Sequence, residues 1–358
     1  MAGRFRDKLN LLSKFTFRRY FNAAKVLGAY YVSRWTGKSR QWGMPVSVSV
    51  EPTTSCNLRC PECPSGLREF TRPTGMLDPE FFRKTIDELS PSLLYLTLYF
   101  QGEPYLNRNF LEMAGYASGK GIYVSTSTNA HFLDDDTARR TVESGLDRLT
   151  ISIDGSTQET YAMYRVGGSL GRVINGTKNI VKWKKKLRSR TPYLIFQFLV
   201  VKPNEHQVSE VYRMAEELGV DEVRLKTAQV YDYEHGNPLI PENDKYSRYE
   251  KLSDGTYRVK NSLANHCWRL WHSAVITWDG LVVPCCFDKD AKHKLGNLQQ
   301  ESFRELWFNG KYAGFRASVL RSRSSIDICS NCTEGTKVWV SKEADDYPRP
   351  DVKRKTLS

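Results

Sequence analysis

The chain of 358 residues has no long apolar run. Near the amino terminus the longest charge-free apolar stretch is residues 26–32, VLGAYYV. That falls far short of the ~20 residues a membrane-spanning helix needs. No cleavage-site pattern accompanies it, which argues against a secretory signal. Low-complexity tracts are missing, and no internal repeat is evident beyond an alternation of strands and helices. A disordered or solenoid architecture is therefore excluded, and the length suits one large α/β domain with a smaller one. Acid is scarce at the start. Residues 1–45 hold ten Lys or Arg (Arg4, Arg6, Lys8, Lys14, Arg18, Arg19, Lys25, Arg34, Lys38, Arg40) and one acid, Asp7. Ten minus one is +9 of the formal +13.

Cysteine is present, but in two groups. Cys56, Cys60 and Cys63 share a short loop with C-x3-C-x2-C spacing, and no fourth cysteine follows until Cys267. Three thiolates in one loop can hold three corners of a 4Fe–4S cube, which leaves one iron open to a ligand from outside the protein. A structural zinc site is the competing reading, though it normally takes four ligands. The second group is Cys267, Cys285, Cys286, Cys329 and Cys332. Metal-like spacing in a large chain points to a reducing compartment and a cytoplasmic protein.

The pattern after residue 45 reads as alternating strands and helices. VSVSV at 46–50 is a strand leading into the cysteine loop. Asp78-Pro79 opens a helix through about Leu89, as an N-cap followed by Pro at its first position. Further strands are expected at 93–100, 122–127, 148–154, 193–201 and 222–227, with helices between them. Six such strands argue for a parallel sheet, either barrel-like or doubly wound. Regularity fails over 229–261, which reads as a linker or substrate-covering loop.

The cysteine loop resembles the signature of the radical S-adenosylmethionine (radical SAM) enzymes. In that family the amino and carboxylate groups of S-adenosylmethionine (SAM) chelate the open iron. Reductive cleavage then yields a 5′-deoxyadenosyl radical that abstracts a substrate hydrogen. The resemblance implies a partial (β/α)6 barrel over 46–228. It also implies that Gly102, Glu103 and Pro104 match a family motif that contacts the methionyl amino group, with Gln101 in place of its first glycine. Ser127, Asn129, Ser152 and Asp154 end later strands where family members approach SAM, and Arg165 is a looser match. The second cysteine group resembles the SPASM extension, in its shorter twitch form. It implies an auxiliary 4Fe–4S cluster on Cys267, Cys285, Cys329 and Cys332, with Cys286 outside the ligand set and a Cys285–Cys286 swap left open. Four thiolates also suit zinc.

The expected organisation is a basic amphipathic segment (1–45), the core (46–228), the linker (229–261), a SPASM/twitch-like domain (262–340) and a polar tail (341–358). The implied activity is oxidation of a small-molecule substrate with the auxiliary cluster as electron acceptor, served by a reductant such as flavodoxin or ferredoxin. A peptide- or protein-modifying maturase is the alternative within the family. A non-enzymatic, metal-binding, membrane-associated protein is the alternative outside it. The basic segment has three readings: a helix packed on the core, a peripheral contact with an anionic membrane at the inner surface, and nucleic acid. The last is disfavoured because no nucleic-acid motif accompanies the charge.

Overall fold

The computed structural model describes residues 2–261 and 263–338; the side chain of Ala2 is outside that description, as is the expected polar tail. Six strands carry the core: β1 (Ser47–Val50), β2 (Tyr95–Thr97), β3 (Tyr123–Thr128), β4 (Arg148–Ser152), β5 (Tyr193–Val200) and β6 (Glu222–Thr227). Each is parallel to the next, in the order 1-2-3-4-5-6. A doubly wound sheet would reverse its order at a switch point. The sequential order identifies a singly wound partial barrel, a distinction that alternation alone could not make.

Local chemistry explains the elements. The helix Pro79–Leu89 starts where Asp78 accepts a hydrogen bond from the Phe81 N–H at 2.8 Å, and its Phe82, Ile86 and Leu89 repeat on the buried face. The strands are apolar because helices cover them. Val48, Leu96, Val124, Leu149, Ile151, Leu194 and Phe196 form one continuous core. Strand β2 is shorter than the expected 93–100, because after Leu98, whose N–H still donates to the Ser125 carbonyl at 2.8 Å, the chain bends over residues 100–102.

After β6 comes a small antiparallel hairpin, β7 (Tyr249–Lys251) with β8 (Tyr257–Val259), inside the segment read as irregular. Then β9 (Ser273–Ile276) joins the sheet parallel to β1, and β10 (Leu281–Val283) and β11 (Gly296–Asn297) extend it antiparallel. The C-terminal part is thus continuous with the barrel sheet. A bidentate ion pair helps fix that junction. Arg72 holds both carboxylate oxygens of Glu51, at 2.8 and 2.6 Å, and its Nε donates to the Lys289 carbonyl at 3.0 Å. Both charged side chains are buried. Removing either partner leaves an uncompensated charge, a loss of ~3–5 kcal/mol.

The amino terminus forms two helices, α1 (Ala2–Ser13) and α2 (Phe17–Thr36). They pack beneath the amino-terminal rim of the strands. Asp7 accepts from Tyr123 and Arg148, and Asn10 donates to Asp147 at 2.7 Å. Buried Arg19 donates to the carbonyls of Ser90, Lys120 and Gly121, at the carboxyl ends of two core helices where a cation is favoured. Among the described residues no helix is long and apolar enough to cross a membrane.

Candidate functional site

The carboxyl ends of β1 to β4 converge on one cavity. Its wall includes Cys56, Cys60 and Cys63 with Gly102, Glu103, Ser127, Asn129, Ser152 and Arg165. Residues far apart in sequence thus meet because each follows, or closes, a neighbouring parallel strand. Two expected members stand differently. Pro104 opens a one-turn 3-10 helix behind the wall. Asp154 is fully buried, with one oxygen accepting from the Leu199 N–H at 2.7 Å and the other paired with Arg165. It orients Arg165, whose Nη1 lies 3.8 Å from the Cys60 sulfur.

The Gly102 turn is stitched to the cysteine loop. Gly102 has φ +71, and a Cβ there would collide with the Thr53 carbonyl and come within 2.7 Å of the Ser55 carbonyl. Only glycine fits such an approach. The Gly102 N–H donates to Ser65 Oγ at 2.9 Å and the Glu103 N–H to the Ser55 carbonyl at 2.8 Å. The Glu103 carboxylate accepts from the Thr128 hydroxyl and the Asn129 N–H, both at 2.7 Å. The Asn129 side chain donates to Asn57 Oδ1 at 2.8 Å, so one chain of contacts ties Glu103 to the cysteine loop. Burial raises the Glu103 carboxyl to about 7. Thr128 also lines this cavity, as do Ser65 and Tyr99, which were not singled out from sequence. Thr128 had a signal, as the neighbour of Asn129 on the same strand end. Ser65 and Tyr99 had none.

The cysteines fit an iron–sulfur cluster. Burial pushes the Cys56 thiol up to about 12 and raises Cys60. A bare thiolate is disfavoured in such a place, and a metal centre inverts that balance. Among the described residues no three His, Cys, Asp or Glu side chains close on a point able to hold a single metal ion.

The second group gathers beside β9 and β10. Buried Arg323 sits among Cys267, Cys329 and Cys332, with its Nη2 3.3 Å from the Cys332 sulfur and 2.6 Å from the Glu334 carbonyl. Arg269 lies near Cys267 and Cys286, and Arg248 near Cys332 and Cys286. Three guanidiniums beside four of the five sulfurs, Cys267, Cys286, Cys329 and Cys332, suit a polyanionic thiolate centre. Gly335 passes so close that a Cβ would strike the Cys267 sulfur. Cys286 packs against the small apolar cluster of Phe100, Val275, Val283 and Ala291.

A half-open cavity of about 760 Å³ is lined by sequence neighbours of both cysteine groups. Glu62 of the first cysteine loop, Tyr231, Tyr233 and Asn237 of the linker, and Phe287 and Lys289 of the C-terminal part line it. The linker is tied down across it. Glu62 accepts from the Tyr231 N–H at 3.0 Å, and Lys289 Nζ donates to Tyr231 Oη at 2.9 Å. The reading of 229–261 as a linker or substrate-covering loop did not single out Tyr231, nor was Lys289 singled out, because neither carries a motif.

Comparison with known proteins agrees with this geometry. A model of the radical SAM superfamily matches residues 50–215, and the SPASM model, described as an iron-sulfur cluster-binding domain, matches 267–333. The chain is 24% identical over 328 residues to the tungsten-containing aldehyde ferredoxin oxidoreductase cofactor-modifying protein of Pyrococcus furiosus, across 79% of this chain and 86% of that one. It is 23% identical over 301 residues to the AdoMet-dependent heme synthase of Methanosarcina barkeri, across 75% and 83%. The crystal structure of Streptococcus suis SuiB bound to S-adenosylmethionine superposes with a TM-score of 0.59 at 14% identity, covering 82% of this chain and 73% of SuiB. At that identity the likeness concerns the fold.

Proposed function

We propose, from the premise that this chain belongs to the radical SAM superfamily and carries a C-terminal SPASM domain, that it oxidises a molecule of cofactor or metabolite size. The observation that carries this reading is the half-open cavity lined by sequence neighbours of both cysteine groups, Glu62 and Pro64 beside Cys63 and Ile328 and Ser330 beside Cys329. Its volume of about 760 Å³ lies within the range of small-molecule sites. Two relatives are named for modifying or making a cofactor, which supports the same size class.

In this reading Cys56, Cys60 and Cys63 hold the SAM-binding cluster, and Cys267, Cys285, Cys329 and Cys332 hold the auxiliary one. When bound, the first with SAM supplies a hydrogen-abstracting 5′-deoxyadenosyl radical, and the second supplies an electron acceptor. An alcohol carbon that becomes a carbonyl loses one hydrogen atom, one proton and one electron. The chain's own residues bind and orient. Glu103 would accept from an N–H of the SAM amino group, with Thr128 and Asn129 fixing its oxygens. Ser127 and Ser152 offer hydroxyls along the same wall. Lys289 and Tyr231 present a linked polar pair to the substrate, and the linker limits water entry.

The role of Glu103 gives a pH signature. Only its ionised form is a strong acceptor for an amino N–H, and burial raises its carboxyl to about 7. SAM affinity is therefore expected to fall as pH drops below that value, measured by equilibrium dialysis with the clusters intact. Glu103→Gln should weaken binding roughly tenfold to hundredfold, the worth of one charge-assisted hydrogen bond, and flatten the dependence. Unchanged affinity in that variant would remove Glu103 from the site.

The function itself is tested by 5′-deoxyadenosine release from the anaerobic, reduced holoprotein. Polyols, sugars and cofactor-sized metabolites are expected to stimulate release and to be recovered two electrons more oxidised. Stimulation by peptides alone would overturn the small-molecule reading and leave the superfamily chemistry standing.

A further inference from the structure

The two amino-terminal helices bury one face and expose an apolar one. In α2 the buried positions are Val26, Ala29, Tyr30 and Ser33. Tyr30 lies under Trp268 and Trp271, with its hydroxyl 2.9 Å from His266 Nδ1. The opposite face is not polar. Phe17, Tyr20, Phe21, Ala24, Gly28, Tyr31 and Trp35 recur at three- and four-residue intervals along it. Phe17 is 80% exposed, Tyr20 61% and Trp35 87%. The row runs ~27 Å at 1.5 Å per residue. In α1 the exposed Phe5, Leu9 and Leu12 follow the same spacing, turned away from the Asp7 and Asn10 anchors. Half-exposed Trp42 lies against Gly28 and adds to the row.

Charge decides what such a surface fits. Arg18 and Lys25 flank the α2 row on one side and Arg34 on the other, and all three are exposed. Arg4, Arg6 and Lys8 surround the α1 row. The one acid of the segment, Asp7, is turned inward and neutralised by Arg148. We propose that α1 and α2 form a docking surface for an anionic lipid bilayer. Phe, Tyr, Trp and Leu would enter the headgroup boundary while Arg and Lys reach the phosphates. A long straight row bordered by cations on both sides suits a planar interface, and Tyr and Trp are the side chains such interfaces favour. A spanning mode is not implied, since no described helix is long and apolar enough to cross a membrane.

The location gives the surface a second property. Arg19, Asp7 and Asn10 fix these helices at the amino-terminal rim of the strands. The cysteine loop and the Gly102–Glu103 turn lie at the carboxyl rim. Docking therefore leaves the substrate cavity facing the aqueous side, and lipid binding and SAM binding should be independent.

The test is co-sedimentation of the full-length holoprotein with vesicles of phosphatidylcholine, with and without phosphatidylglycerol. Binding is expected only with the anionic lipid, with release at ~1 M salt, where the Debye length is about 3 Å. Changing Arg18, Lys25 and Arg34 together to Gln should lower partitioning roughly a hundredfold, at about one tenfold-scale step per one or two charges. Phe17→Ser, Tyr20→Ser and Trp35→Ser together should abolish it with an unchanged melting temperature, because these side chains are already mostly exposed. Failure of the intact protein to bind anionic vesicles overturns the proposal. So does equal binding by either triple variant, or an acidic protein partner that occupies this face while vesicles do not.

Discussion

Replacing Cys56, Cys60 and Cys63 together by alanine is expected to remove about four of roughly eight irons and to abolish reductive cleavage of SAM. The expectation rests on separation as well as on the cysteines themselves. Each group has its own surroundings: Glu103, Asn129 and Arg165 around the first, and Arg323, Arg269 and Arg248 around the second. Loss of the first should leave the second loaded. The iron count and the ultraviolet–visible spectrum should therefore fall by half, not to zero. Measured under anaerobic conditions with dithionite, 5′-deoxyadenosine should be undetectable in the variant. Retained cleavage would show that the radical is generated elsewhere. Complete iron loss would show that the two groups depend on each other for folding.

Much of this site was legible before the fold was known, for a specific reason. The cysteine loop, Gly102-Glu103 and Asn129 each sit at a strand end, and the strands advertise themselves by apolar runs between helix caps. Once the strands are parallel and sequential, their carboxyl ends must meet, so local motifs translate into one cavity. The carboxylate of Asp154 shows where that logic stops. Its position at the end of β4 was legible, whereas its partners, the Leu199 N–H and Arg165, were not. No local pattern announces a side chain's partner 45 residues away. Lys289 and Tyr231 were hidden for the same reason. They become a pair only after β9 lies beside β1 and brings the C-terminal part over the core. The parallel placement of β9 is itself a tertiary outcome, since Ser273–Ile276 reads equally well as a hairpin strand. The amino-terminal segment posed a different difficulty. Packing and surface binding read as rivals in the sequence, whereas α2 buries one face and leaves an apolar one exposed.

The second large effect concerns Cys332. Cys332→Ala, purified with the first cluster intact, is expected to keep SAM cleavage and hydrogen abstraction while losing the oxidised product. The motive is electrostatic. Arg323 is fully buried with its guanidinium 3.3 Å from the Cys332 sulfur, and Arg269 and Arg248 stand nearby. Positive charge around a thiolate-bound centre favours its reduced state and raises its potential, which suits a role as electron acceptor. The same charge would also stabilise a polyanionic centre that only braced the fold, so the readout has to separate the two roles. Loss of activity alone does not separate the two roles, because removing a ligand also loosens the turn that Cys332 forms with Cys329. The deciding readout is the fate of the substrate hydrogen. With deuterated substrate, the variant should still transfer deuterium to 5′-deoxyadenosine, and the substrate should return unoxidised or scrambled. Arg323→Lys provides the second arm. It retains the charge but not the fork that joins Cys332, Glu334 and His266. Its product yield should fall only in part, with a shift in the auxiliary centre's potential seen by electron paramagnetic resonance during redox titration. Normal product from Cys332→Ala, or zinc found in the second site of the intact protein, would show that the C-terminal cysteines serve structure and that the electron leaves the substrate by another route.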